Sequence, residues 1–202
     1  MVMTVIEFSY DFGSPNAYLV HKVLPGIAAK CRAKLVWQPV LLGGVFKATN
    51  NQSPMTAFAS VSGKLAYQNH EIERFIARYD IPYARNPHFP VNTIAMMRGA
   101  IFAHGKRWQA AYTDAMFNAM WRFGERMDDP DVMARVLTAA GLPVAEIMAA
   151  AQTPEVKAAL IEATTRAVER GVFGVPTMLV GTEMYFGKDS LNDLEYDLAR
   201  QT

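Results

Sequence analysis

A serine followed by proline stands where an apolar run gives way to a helix, in Phe8-Ser9-Tyr10-Asp11-Phe12-Gly13-Ser14-Pro15-Asn16-Ala17-Tyr18. Serine at a helix N-cap with proline at the first helical position is an ordinary start, worth roughly 1 kcal/mol through a hydrogen bond from a first-turn N–H. The same hydroxyl has a second use. A helix N-terminus carries partial positive charge, and a thiol placed there beside a hydroxyl donor ionises more readily than a free thiol with its pKa of about 8.5. The chain has one cysteine, Cys31, so neither end of Ser14-Pro15-Asn16-Ala17 can enter a disulfide, and no Cys-x-x-Cys pair or thiolate zinc site exists. A sulfur held at Ser14 must be borrowed from another molecule.

The other stretch with chemical potential is Gly174-Val175-Pro176-Thr177. Proline removes a ladder donor and is tolerated mainly at strand starts, turns and edges, so the plain reading is a boundary. A cis bond there would turn the Val175 N–H and C=O outward, ready to pair with an extended peptide as an added strand. Local sequence alone favours trans, because an X-Pro bond is cis in only about 5–6% of folded cases. The four histidines, His21, His70, His88 and His104, are scattered without ligand spacing, and no Gly-x-Ser-x-Gly elbow occurs. Metal and hydrolase chemistry are therefore set aside. Met96, Met97, Met116, Met120 and Met127, with Trp108 and Trp121, are expected as helix core or pocket lining, and Cys31 as buried and inert.

The elements that must position these residues can be read from periodicity. Val5, Ile6 and Phe8 lead a short buried strand ending at Gly13, and apolar residues from Ala17 through Leu24, Ile27 and Ala28 give one helical stripe that Pro25 should kink. Residues 33–40 read as a second strand closed by proline. From Leu42 to about Gln152 only helical periodicities appear, including 65–79 and 93–104. Asp129-Pro130-Asp131 and Thr153-Pro154-Glu155 open further helices, the second carrying Val156, Ala159, Leu160, Ala163 and Ala167 on one face and stopping at Gly171. Residues 177–180 and 183–186 form a hairpin about Gly181-Thr182, and a helix follows over 191–198. The order is beta-alpha-beta, helical insert, alpha-beta-beta-alpha. That is an α/β fold of thioredoxin arrangement: a mixed four-stranded sheet from 1–43 and 153–202, with an all-helical domain inserted over 44–152. In this architecture the Val175-Pro176 strand start lies opposite the first helix N-terminus, which raises the expectation of a cis bond.

Twenty basic and nineteen acidic residues leave a net charge of +1, which points away from nucleic acid and leaves room only for a local anion pocket. No basic, apolar leader and no span-length apolar run are visible, so no membrane association and a cytoplasmic location are expected.

The chain resembles the 2-hydroxychromene-2-carboxylate isomerases, relatives of kappa-class glutathione transferases and DsbA-like proteins. The resemblance rests on YDFGSPNAY, PVLLGGVFKATNNQSP, KLAYQNHEIERFIARYDIP, HFPVNT, GVFGVPTM and YFGKDSL, in the family's order and spacing. It implies glutathione as cofactor, a small aromatic carboxylate as substrate, a homodimer, and Ser14 as the residue that activates the glutathione sulfur. It also implies the cysteinyl backbone against Val175 beside cis-Pro176, the gamma-glutamyl end near Asp189 and Ser190, and the glycyl end near Asn51 and Lys64. Lys47, and Asn92 beside it, would meet the substrate carboxylate. Read without the family, these positions are a solvated lysine, a capping aspartate or a turn asparagine. Two departures stand out: Ser190 where the family carries arginine, and Glu71 where it carries aspartate. The alternatives are a kappa-like glutathione transferase or peroxidase, and a non-catalytic peptide- or glutathione-binding module. A DsbA-type disulfide exchanger is excluded, because one cysteine cannot cycle as a dithiol pair.

Overall fold

The computed structural model of the protein describes residues 3–200. Strand β1 (Val5–Tyr10) runs into helix α1 (Pro15–Lys30) and returns in β2 (Lys34–Pro39), parallel to β1 with Phe8 opposite Trp37. Among the described residues everything between β2 and β3 is helix or loop: α2 (Leu42–Thr49), α3 (Pro54–Ala57), α4 (Lys64–Tyr79), α5 (Ile94–Ala103), α6 (Gln109–Trp121), α7 (Pro130–Ala139), α8 (Val144–Ala150) and α9 (Pro154–Glu169). Strands β3 (Thr177–Val180) and β4 (Glu183–Phe186) form the hairpin, followed by a 3-10 turn (Lys188–Ser190) and α10 (Leu191–Ala199). The sheet order is β2-β1-β3-β4, with β3 antiparallel to β1 and to β4.

This order puts β1 and β3 in the centre, and both are the apolar strands: Ile6, Phe8, Tyr10 and Met178 are fully or almost fully buried. Helix α1 runs through Pro25 as one element, with the proline on its exposed face, so the expected kink is not a break. Its cap is the one the sequence called for. Helices α7 and α9 likewise begin at Asp129 and Thr153, whose side chains accept first-turn N–H groups. The face of α9 is the expected one with an addition: Leu160 and Ala167 are buried, Val156, Ala159 and Ala163 are half-buried, and Thr164 is buried with them. Thr164 Oγ1 accepts from the Leu41 N–H at 3.0 Å and donates to Leu160 O at 2.7 Å, which satisfies a polar group that apolar periodicity cannot register.

The inserted helices share a core with the sheet. Phe117 on α6 packs 5.6 Å from Tyr10 and 4.8 Å from Phe12, and Trp121 Nε1 donates to Phe12 O at 2.7 Å. The named methionines belong to this core, with Met96, Met97, Met116 and Met120 fully buried. A smaller apolar cluster of Val40, Val45, Ala167, Val172, Val175 and Leu179 joins α2, α9 and the loop before β3. That cluster anchors the Val175-Pro176 segment.

Candidate active site

The tip of α1 is where the two sequence motifs meet. Ser14 is the N-cap, buried, with extended backbone angles. Its Oγ accepts the Ala17 N–H at 3.2 Å and donates to Val175 O at 3.3 Å. Capping uses a lone pair and leaves the hydroxyl proton to be aimed elsewhere, so the two readings of Ser14 are compatible. The bond to Val175 is at the long end of the hydrogen-bond range, and little is lost if the proton turns to a better acceptor. Pro15 has no N–H, and the Ala17 and Tyr18 N–H groups go to Ser14 Oγ and O, which leaves the Asn16 N–H as the open donor of the first turn among the described residues. The Val175-Pro176 bond is cis, as the architecture led us to expect, although the Val175 carbonyl faces Ser14 and is not turned outward. A second cis bond, Phe89-Pro90, was not read from sequence.

Asp11 has no role that the sequence alone assigns. Its buried carboxylate accepts the Gly13 N–H and the Leu42 N–H, each at 2.8 Å. One side chain thus fixes the β1–α1 turn and ties it to the start of α2. Burial raises the Asp11 pKa, while hydrogen bonds from Leu42, Gly13 and Thr93 oppose the rise. The missed signal was an acidic residue inside an otherwise apolar stretch, which burial makes costly unless its hydrogen bonds are met.

Around the cis-proline the backbone gathers other candidates. Asn51 Nδ2 donates to Phe173 O at 2.8 Å, bringing the loop after α2 against the segment that leads to Val175. The Gly187 N–H donates to Pro176 O at 2.9 Å, so the 3-10 turn bearing Asp189 and Ser190 is bonded to the proline itself, and this turn also packs on α1. Ser190 Oγ is spent on Gly187 O at 2.9 Å. The side chain of Asp189 is 77% exposed and is held by Lys188, whose Nζ lies 2.5 Å from Oδ1. Lys188 is buried and had gone unnoticed in the sequence, where lysine next to aspartate reads as a solvated pair.

The remaining candidates are less tightly joined. Lys47, in the last turn of α2, is exposed and has no ion-pair or hydrogen-bond partner among the described residues. Lys64 opens α4 with its Nζ 5.4 Å from the Phe58 ring, and no bond links it to Asn51 or Val175. Asn92 is exposed and its Oδ1 accepts the Ile94 N–H at 3.0 Å, a turn-forming role, while neighbouring Thr93 packs against Gly13. Cys31 is buried at the C-cap of α1. At 1.5 Å per residue it stands roughly 24 Å from the Ser14 end of that helix, out of reach of the site. Among the described residues no group of His, Cys, Asp and Glu side chains could hold a metal ion, and no helix is long and apolar enough to cross a membrane.

Residues 5–199 match the family described as the DsbA-like thioredoxin domain. The chain belongs to that DsbA-like family. A 2-hydroxychromene-2-carboxylate isomerase of Pseudomonas putida is 30% identical over 97% of this chain and 95% of its own length. Glutathione S-transferase kappa 1 of Rattus norvegicus is 28% identical over 98% of this chain and 92% of its own. A solved 2-hydroxychromene-2-carboxylate isomerase superposes with a TM-score of 0.86 at 29% identity, covering 98% and 95% of the two chains. The resemblance read from the motifs therefore extends along the whole DsbA-like domain, and these named relatives are enzymes.

Proposed function

We propose that this DsbA-like protein is a glutathione-dependent cis–trans isomerase of 2-hydroxychromene-2-carboxylate or a related intermediate of aromatic breakdown. The observation that carries the reading is the Ser14 hydroxyl at the tip of α1, facing the Val175 carbonyl in a site whose own cysteine lies at the far end of the helix. A helix tip that offers a hydroxyl proton and an open N–H but no thiol of its own fits a borrowed thiol. Glutathione, when bound, supplies a thiolate that adds reversibly to a conjugated carbon, so that a double bond becomes single, rotates and re-forms.

The chain's residues supply the rest. Ser14 turns its proton from Val175 O to the sulfur, and the Asn16 N–H and the helix terminus add positive potential. Val175, Asn51, Asp189 and Ser190 bind the tripeptide along the edge gathered by Asn51–Phe173 and Gly187–Pro176, and Lys64 takes its glycyl carboxylate. Lys47, a cation with no ion-pair or hydrogen-bond partner among the described residues, meets the substrate carboxylate with Asn92 near it. On this reading the location is cytoplasmic, 1–43 and 153–202 are the thioredoxin-like part and 44–152 the helical insert, and the assembly is a homodimer, as the family resemblance implies.

The test follows chromene carboxylate conversion by absorbance with and without glutathione. Conversion that requires the tripeptide is expected. Absence of conversion together with turnover of chlorodinitrobenzene would transfer the reading to a kappa-like transferase, and absence of glutathione binding would end both.

A further inference from the structure

Lys188 is an unusual lysine. Its side chain is 4% exposed, whereas its partner Asp189 is 77% exposed. A buried ammonium needs an anion or a π face close by, and this one has both: Asp189 Oδ1 at 2.5 Å and the Phe75 ring, its centroid 5.4 Å away. Phe75 is itself buried on α4. Glu71, one turn earlier, is held ionised first by Arg74 and further by Lys188. The ammonium is thus fixed from below by packing and reaches up to a carboxylate that would otherwise rotate freely in solvent. The other carboxylate oxygen of Asp189 has no partner among the described residues. Ser190 contributes no cation, and its hydroxyl serves Gly187. The cation of this segment is two positions earlier than the resemblance would place one.

We propose that Lys188 is a positioning residue for the gamma-glutamyl end of the bound thiol: it pins the Asp189 carboxylate so that the free oxygen is set to receive the ligand's α-ammonium. This rests on the glutathione reading above. Lys188 does not touch the ligand. Its contribution is the conformational entropy that Asp189 need not surrender on binding, and removing it weakens glutathione about three- to tenfold. A ligand without the gamma-glutamyl group gains nothing from the arrangement.

The experiment compares glutathione with the dipeptide Cys-Gly by calorimetry, on the full chain. Lys188→Met retains the apolar stem over Phe75 while deleting the charge, and Lys188→Gln is measured alongside with a polar end. The expected result is a three- to tenfold weaker glutathione Kd in both variants, an unchanged Kd for Cys-Gly, and no additional loss when Lys188→Met is combined with Asp189→Asn. Equal weakening of both ligands would assign Lys188 a merely structural role and overturn the proposal, as would unchanged glutathione binding. If the wild type binds no glutathione, the proposal falls together with the reading beneath it. If Ser14→Ala retains isomerisation while Lys188→Met still alters the glutathione to Cys-Gly ratio, only the role of Ser14 falls.

Discussion

Ser14 performs two tasks that substitution can separate. As N-cap it accepts the Ala17 N–H at 3.2 Å, and Ser14→Ala forfeits that bond at a cost of about 1 kcal/mol, whereas Ser14→Gly forfeits only a few tenths because glycine is itself a tolerated cap. For a domain of this size 1 kcal/mol is a Tm shift of about 2–4 °C. As donor to a bound sulfur the hydroxyl makes a hydrogen bond to a charged acceptor, worth about 1.5–3 kcal/mol. Its removal raises the bound thiol's pKa by about 1–2 units. Below the wild-type bound thiol's pKa the thiolate population, and kcat with it, falls about ten- to a hundredfold in both variants. Because the deficit is one of ionisation, it shrinks as pH rises past the wild-type bound thiol's pKa and closes above the variants' raised one. The assay is isomerisation at saturating glutathione from neutral to alkaline pH, beside thermal unfolding of each variant. Full activity in Ser14→Gly, activity that tracks Tm across the variants, or a deficit independent of pH would refute the reasoning.

Asp11→Asn presents an amide group to one of two N–H donors, leaving the Gly13 or Leu42 N–H unpaired, and should lower stability by roughly 1–3 kcal/mol in urea unfolding and loosen the α1 tip. Gly99→Ala would place a Cβ 2.0 Å from the Tyr112 hydroxyl, which donates to Met96 O at 2.8 Å. A loss of about 1–3 kcal/mol by overpacking is expected, and Tyr112→Phe in the same chain should restore part of the Tm. The buried His21 imidazole bonds Asp114 at 3.0 Å between Phe117 and Trp37, and burial lowers its pKa from 6.5. Asp114 is depressed from 3.8, first by His21 and then by Lys22. Both folded values lie below the unfolded ones, so stability is complete above pH 6.5 and declines as pH falls, first through the His21 window and again below 3.8 as Asp114 protonates. His21→Phe should abolish the first decline in pH-dependent unfolding, and an unchanged profile would show that other groups set it.

Much of the architecture was legible because its signals are local. Asp129-Pro130 and Thr153-Pro154 name helix starts by capping chemistry, and the positive φ of Gly171 is the stop that glycine advertises. Ser14-Pro15 belonged to the same grammar, so its cap was certain from sequence. Its partner was not, since Val175 lies 161 residues away and nothing local records the pairing.

By themselves, the residues determined the order of strands and helices, the absence of a reactive cysteine pair and the motif resemblance, because composition, periodicity and caps act over a few neighbouring positions. Only the folded chain decided that Asp11 braces α2, that Thr164 is a core residue, and that Lys188 is buried with its charge directed at Asp189. The cost or gain of a polar group depends on what surrounds it, and those surroundings are assembled from elements far apart along the chain.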